Sequence, residues 1–177
     1  MSRPPVWLLD VDGVINTRRP LWGPQLHRGI VHSDDDDYPL HWAPRLITGI
    51  RRIHATGTID IQWCTTWCAE ADKLEQLLGL PPLGIALETA ALTDDADAAK
   101  LTAARRILAD GRRLVWTDDT AIPHEPTLVR ELTARGQGLL IRPHPRRGLR
   151  PVDLARIARF ARSPRRGFNS RPGHFGA

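Results

Sequence analysis

Four aspartates follow two apolar segments of this sequence, and their chemistry suits a metal ion. Asp10 and Asp12 stand at the end of the first apolar run of the chain, and Asp118 and Asp119 follow the run 113–117. If these runs are neighbouring strands, the carboxylates lie side by side, and like charges repel strongly unless a cation neutralises them. Hard oxygen ligands with no cysteine or histidine partner favour Mg²⁺ over zinc. The set therefore predicts a Mg²⁺ site.

A Mg²⁺ ion bound by carboxylates commonly shares a phosphate oxygen of the substrate, so the prediction extends to phosphoryl transfer. Asp10 is the candidate nucleophile, because an aspartate can attack phosphorus and form an aspartyl-phosphate. Asp12 is the candidate general acid for the leaving oxygen and then the base for water. Thr65 is the candidate donor to the phosphoryl oxygens, and Lys100 is the cation that offsets their charge.

Composition draws attention to Lys100. Of the 25 basic residues only Lys73 and Lys100 are lysines. Lys100 is predicted at the start of a helix, where the helix dipole favours an acid over a cation. A lysine at that point indicates a use for its compact, flexible ammonium group that arginine does not serve.

Short apolar runs alternate with segments of helical periodicity along the chain, which predicts an α/β fold. Right-handed connections cover both faces of a parallel sheet, so the polar residues of interest should meet at the carboxyl ends of the strands. We therefore expect a Rossmann-like, three-layer fold with a parallel sheet. The predicted strands are 6–11, 58–64, 84–87, 113–117 and 138–142, and the predicted helices are 44–55, 69–78, 98–109, 127–134 and 152–161.

One core domain, residues 1–162, accounts for this alternation. Residues 17–42 interrupt it with prolines, glycines and a run of four aspartates. This insertion is short for a cap domain, so we expect a minimal cap, namely a flap or small hairpin with a loop, that acts as a lid. Residues 163–177 form an arginine-rich tail that we expect to be loosely ordered.

The net charge of +5 resides near the C-terminus. Residues 142–177 hold ten arginines and one acid, Asp153, which leaves 15 basic and 19 acidic residues in residues 1–141. The tail is interpreted as a solvated terminus, with a nucleic-acid contact as the alternative. No apolar stretch approaches the roughly 18 residues of a membrane span, and two cysteines cannot form a disulfide framework, so we expect no membrane contact and a cytoplasmic location.

The segments that carry the candidate residues resemble the motifs of the haloacid dehalogenase superfamily, in the family's order. The sequence LLDVDGVI at 8–15 is similar to the first motif, IQWCT at 61–65 to the second, Lys100 to the lysine of the third, and VWTDD at 115–119 to the acidic fourth. The resemblance covers residues 6–119, and the rest of the core fits the same Rossmann-like fold. A finer resemblance, in WCTTW at 63–67 and the Gly148-Leu149 pair, is to a small bacterial branch related to phosphatase domains of RNA-repair proteins.

The resemblance implies that Asp10 is the nucleophile and Asp12 the acid and base. It also implies that Mg²⁺ is bound by the Asp10 carboxylate, the Asp12 backbone carbonyl and Asp118, with Asp119 a direct or water-mediated ligand.

Three assignments stay open at this point. Thr66 competes with Thr65 for the role in the second motif, and Arg105 competes with Lys100 for that of the cation. Trp67 follows the second motif, and it is either a core residue or a wall of the substrate site.

These features predict a Mg²⁺-dependent phosphomonoester hydrolase whose partner is a phosphorylated small molecule or nucleic-acid end. One alternative is a polynucleotide-end phosphatase, which the small lid and the basic tail favour. An alternative of another class is a catalytically idle binding module, which the retention of every candidate catalytic residue disfavours.

Overall fold

The computed structural model describes residues 3–33, 36–87 and 95–163. Within them the strands are β1 (Val6–Leu9), β2 (His27–Ser33), β3 (Asp36–Trp42), β4 (Asp60–Trp63), β5 (Gly84–Ile85), β6 (Leu114–Thr117) and β7 (Gly138–Ile141). The α-helices are α1 (Pro44–Ala55), α2 (Ala71–Leu78), α3 (Ala96–Ala109), α4 (Pro126–Thr133) and α5 (Pro151–Arg162). Two 3₁₀ turns, Thr66–Glu70 and Ala134–Gly136, precede α2 and follow α4.

Five strands form one parallel sheet in the order β5-β4-β1-β6-β7. Every residue of β1 and of β6 is buried, as expected for apolar strands that helices cover on both faces. Trp7, Trp63 and Trp116 are among the largest fully buried side chains. The α/β prediction with a parallel, Rossmann-like sheet is confirmed.

Strand β1 is shorter than predicted because the chain turns directly after Asp10. The Asp10 amide still bonds to the Thr117 carbonyl of β6 at 3.2 Å. The Val11 carbonyl then accepts hydrogen bonds from the amides of Ile15 and Asn16, both at 2.8 Å, which closes a turn. The two aspartates of the first motif therefore lie at the strand end and within this turn.

Four of the five described helices pack in pairs, α1 against α5 and α3 against α4. In α1, Pro44 stands at the first helical position, and the side chains at helical spacing are buried, namely Leu46, Ile47, Ile50 and Ile53. Burial of each such side chain contributes about 1.5–3 kcal/mol. Helix α3 begins at Ala96, two residues before the predicted start, because the Asp95 side chain caps it by accepting from the Ala98 amide at 3.0 Å.

The predicted insertion at 17–42 contains an antiparallel hairpin of β2 and β3. Val31 and Leu40 anchor it in the core, while Lys73 of α2 donates to the His32 carbonyl at 2.9 Å. The hairpin therefore rests on the segment that leads from β4 into α2. The predicted tail, 163–177, lies outside the described residues from 164 onward, and so do residues 34–35 of the aspartate run. None of the described helices has the length and apolarity needed to cross a membrane.

A glycine closes the loop that follows β7. Gly148 has a φ of +62°, and a Cβ at this position would overlap the Val14 carbonyl oxygen and lie 2.7 Å from Thr17 Cγ2. The adjacent Leu149 amide donates to that same carbonyl at 2.9 Å. The loop after β7 is thus tied to the loop after β1 by a contact that only glycine permits.

We predict that Gly148→Ala destabilises the protein by more than Gly57→Ala. Gly57 has nearly the same φ, +63°, but no atom lies within 4 Å of a Cβ placed there. Gly57→Ala should lower the free energy of unfolding by about 1 kcal/mol, the cost of a left-handed backbone. Gly148→Ala adds the clash and should cost at least about 2 kcal/mol in urea titration. Equal losses for the two variants would contradict the contact.

Candidate functional site

The register of the sheet places the candidate residues at one edge. Leu9, the last residue of β1, pairs with Trp63 of β4 on one side and with Thr117 of β6 on the other. The residues that follow these three are Asp10, Cys64 and Asp118. Because parallel strands end at the same edge, the first, second and fourth motifs meet there, as the sequence predicted.

Three carboxylates form the centre of the site. Oxygens of Asp10, Asp118 and Asp119 lie within 4.8 Å of one another. Asp10 is 5% exposed and Asp118 is fully buried. The Lys100 ammonium lies between two of them, 3.0 Å from Asp10 Oδ2 and 2.7 Å from Asp118 Oδ2. One cation therefore compensates part of three closely spaced negative charges.

Lys100 reaches this position from the second turn of α3, not from its first residue. The ammonium is buried with the two carboxylates. Although burial opposes its charge, the carboxylates of Asp10 and Asp118 raise the pKa of Lys100 above its ordinary value. Lys100 is therefore charged at neutral pH.

Backbone amides hold the carboxylates in place. Asp118 Oδ1 accepts from the amides of Thr120 at 3.0 Å and Ala121 at 2.7 Å. Asp10 Oδ1 accepts from the Val11 amide at 2.8 Å. Each of these buried acids thus uses one oxygen for the backbone and the other for Lys100, which fixes the orientation of both carboxylates.

A glycine admits the third carboxylate. Gly13 has a φ of +67°, and a Cβ there would overlap the side chain of Asp119. The Asp-Gly pair after β1 therefore serves the site and not the turn alone: the glycine leaves the space that Asp119 occupies. Burial and the nearby charge of Asp118 raise the pKa of Asp119.

The pKa of Asp10 is raised because its carboxyl group is buried close to another carboxylate. Burial and the Asp118 carboxylate raise the pKa of Asp10 to about 7, against the opposing effects of Lys100 and of a hydrogen bond with the Thr65 side chain. Loss of solvent and repulsion by a neighbouring acid both disfavour the charged form. A divalent cation bound at the cluster would reverse this balance.

The Asp12 side chain is exposed to solvent and is not one of the three clustered carboxylates. Asn16 Nδ2 donates to one of its oxygens at 2.7 Å, and Trp67 Nε1 donates to the other at 2.8 Å. The Asn16 side chain is itself held by the His41 amide at 2.8 Å. Tyr38 of the hairpin packs edge-on against Trp67, with ring centroids 5.1 Å apart. Two donors thus orient an accessible carboxylate beside the buried one.

Two of the open assignments gain a geometric answer. Thr65 is buried at the end of β4 and hydrogen-bonds with Asp10, whereas Thr66 is exposed. Arg105 lies on the surface, where it pairs with Glu131 at 2.7 Å. The structure therefore brings Thr65 and Lys100 to the cluster and leaves Thr66 and Arg105 outside it.

The two residues that orient Asp12 had no such role in the sequence-based prediction. Asn16 is not among the candidate site residues of the sequence, and Trp67 was open between a core residue and a wall of the substrate site. Asn16 stands four residues after Asp12 inside the turn. A side-chain amide four residues after an acid was the one signal for this contact in the sequence.

The donor set fits Mg²⁺. Three carboxylates with oxygens within 4.8 Å can close around one ion with small side-chain movements, and they offer only oxygen ligands. The excess negative charge that Lys100 leaves uncompensated favours a divalent cation over a water molecule. The Asp12 carboxylate is not one of the three clustered groups, and the expected ligand of that residue, its backbone carbonyl, stays a prediction.

A comparison of the chain with protein-family models, with curated proteins and with solved structures finds no match.

We predict that Mg²⁺ stabilises the protein through these carboxylates. At about 100 times its dissociation constant, an ion that binds only the folded state adds about 2.7 kcal/mol, which for a domain of this size is roughly 5–10 °C in the melting temperature. Asp119→Asn removes one ligand and should abolish most of the shift. Asp110→Asn, an exposed acid at the end of α3, is the charge-matched control and should keep it. An undiminished Mg²⁺-induced rise in the melting temperature of Asp119→Asn would exclude Asp119 as a ligand.

We also predict a pH dependence in the cation-free protein. Asp10 has a pKa of about 7 in the folded state and near 3.8 in the unfolded chain. The folded state therefore binds a proton that the unfolded chain has lost, so stability contributed by this residue falls as pH rises from about 4 through 7, by up to about 1.4 kcal/mol per unit. In EDTA, the unfolding free energy of wild type should fall relative to that of Asp10→Asn as the pH rises from 5 to 8. A difference independent of pH would contradict the raised pKa.

Proposed function

We propose that this protein is a Mg²⁺-dependent phosphomonoester hydrolase of the haloacid dehalogenase type, which acts through an aspartyl-phosphate on Asp10. The observation that carries the proposal is the pairing of two acids at the end of β1: Asp10 is buried against Lys100, and Asp12 is exposed and held by two donors. One acid is placed to attack and the other to exchange a proton with solvent, which double displacement at phosphorus requires.

In the first step a carboxylate oxygen of Asp10 forms a bond to phosphorus, and the ester oxygen leaves. Asp12 donates a proton to that oxygen, so the alcohol departs neutral. Lys100 offsets charge on the reacting groups, and the Thr65 hydroxyl donates to a phosphoryl oxygen. When bound, Mg²⁺ supplies charge neutralisation for the phosphoryl group and keeps Asp10 ionised at neutral pH.

In the second step Asp12, now a carboxylate, accepts a proton from water as the water oxygen bonds to phosphorus. The bond between phosphorus and Asp10 breaks, inorganic phosphate leaves, and both aspartates return to their first state. The two hydrogen bonds to Asp12 restrict rotation of its carboxylate, so the same oxygen can serve as acid and then as base.

The minimal cap supports action on substrates larger than a free metabolite. The hairpin of β2 and β3 is a two-stranded flap, and Asp12 stays exposed beneath it. A polynucleotide end is accordingly the second candidate substrate. The basic tail proposed to contact nucleic acid lies beyond the described residues. A cytoplasmic location belongs to the proposal and suits the two free, buried cysteines, Cys64 and Cys68.

We predict that Asp10→Asn abolishes Mg²⁺-dependent hydrolysis of an aryl phosphate, with a loss of at least about 10³-fold in kcat, because an amide does not attack phosphorus. Asp12→Asn should lower kcat by about 10²–10⁴-fold, the usual contribution of a general acid and base. Asp110→Asn should keep wild-type kcat. Melting temperatures of all three variants identify any loss that arises from unfolding.

Full activity in Asp10→Asn would overturn the proposal. Binding of phosphate esters without turnover, across small phosphomonoesters and 3′- and 5′-phosphorylated oligonucleotides with Mg²⁺, would instead favour an idle binding module. An aryl phosphate whose leaving group needs no proton should be less sensitive to Asp12→Asn than an alkyl phosphate. That contrast separates a proton-transfer role from a structural one.

A further inference from the structure

A basic pocket adjoins the site on the side of Asp12. It has a volume of about 660 Å³ and lies between the loop after β1, strand β3 of the hairpin and the loop after β7. Eight residues line it, of which three are arginines, Arg18, Arg19 and Arg146, and none is acidic. We call it the arginine pocket. Its charge is opposite to that of the carboxylate cluster beside it.

Asn16 connects the arginine pocket to the catalytic groups. It lines the pocket and donates to Asp12 Oδ1 at 2.7 Å, while its own oxygen accepts from the amide of His41, another lining residue. A ligand in the pocket therefore lies one side chain away from the proposed general acid.

Backbone hydrogen bonds hold the walls together. The Thr17 amide bonds to the His41 carbonyl at 2.8 Å, and the Arg19 amide bonds to the Arg146 carbonyl at 3.0 Å. The first joins the loop after β1 to the hairpin, and the second joins it to the loop after β7. The arginine side chains thus project from tied segments, not from free loops.

The three guanidinium groups have no acidic partner among the described residues. The salt bridges of residues 3–33, 36–87 and 95–163 include Arg105, Arg112, Arg150 and Arg156, but none of the arginines of this pocket. Unneutralised guanidinium groups on a concave surface attract an anion, and their planar forks match the oxygens of a phosphate group in two-point contacts. A pocket of this volume is in the range that holds a nucleotide-sized group.

We propose that the arginine pocket binds a second phosphate group of the substrate, one that is not hydrolysed. The inference rests on the proposed function and narrows it: the preferred substrate carries two phosphate groups, with the ester to be cleaved at Asp10 and the other phosphate beyond Asp12. Binding of the remote phosphate orients the substrate and supplies energy that a simple monophosphate lacks. The second group is either a phosphate of a small bisphosphate or a phosphodiester of a polynucleotide.

The test compares kcat/KM with Mg²⁺ for three kinds of substrate. They are a nucleoside monophosphate, the matching nucleoside 3′,5′-bisphosphate, and a dinucleotide with one terminal phosphate, placed at the 3′ end or at the 5′ end. The variant is Arg18→Gln/Arg146→Gln. The control, Arg51→Gln/Arg130→Gln, removes the same charge from exposed positions on α1 and α4. The quantity of interest is the ratio of kcat/KM for each two-phosphate substrate to that for the monophosphate.

We expect a wild-type ratio of at least about 10 and a fall of about 10-fold or more in the pocket variant, mostly through KM, since a hydrogen bond to a charged group contributes about that factor. The control should keep the wild-type ratio. If the ratio falls for the dinucleotide alone, the second group is a phosphodiester of a polynucleotide. If the ratio falls for the bisphosphate alone, the second group is a phosphate of a small molecule. A ratio unchanged in the pocket variant, or equally lowered in the control, would overturn the proposal.

A binding measurement separates this proposal from the proposed function. The nucleoside bisphosphate and the dinucleotide are titrated calorimetrically into wild type and both double variants in EDTA, where no turnover occurs. A loss of affinity of about 10-fold or more, confined to Arg18→Gln/Arg146→Gln, supports the arginine pocket even if no substrate is hydrolysed. Equal affinity of the three proteins for both ligands would overturn it even if the enzyme is active.

Discussion

The structure is organised around the crowding of three carboxylates at one edge of a parallel sheet. Parallel register brings the ends of β1 and β6 together, so Asp10 and Asp118 cannot be separated without breaking the sheet. Buried like charges of this kind persist only with compensation, and Lys100 supplies part of it from α3. Removing one partner of a buried ion pair typically costs about 3–5 kcal/mol, so α3 is bound to the sheet by charge as well as by packing.

Much of this arrangement could be predicted from the sequence, because it follows from short-range patterns. The apolar runs that end in Asp10, Thr65 and Asp118 identify buried strands, and parallel topology then places their ends together. Lys100 could be singled out because this chain has only two lysines. The choice between Thr65 and Thr66 could not be predicted, because the two are equivalent in sequence. Only the turn of the backbone after β4 buries Thr65 and exposes Thr66.

The contacts that escaped prediction join turns to one another. Trp67 donates to Asp12 across 55 positions of sequence, Asp119 occupies the space above Gly13, and the loop after β7 rests on the Val14 carbonyl. Such contacts depend on how tight turns pack at the sheet edge, and no periodic pattern of side chains encodes that packing. Apolar periodicity describes where elements lie, whereas the orientation of an exposed carboxylate depends on single donors from distant parts of the chain.

The edge-on contact between Tyr38 and Trp67 makes the orientation of Asp12 depend on the hairpin. Tyr38 belongs to the flap, and the indole it touches is the one that holds Asp12. Val31 and Leu40 anchor the hairpin in the core, so the orientation of an exposed carboxylate depends on apolar packing in another part of the chain.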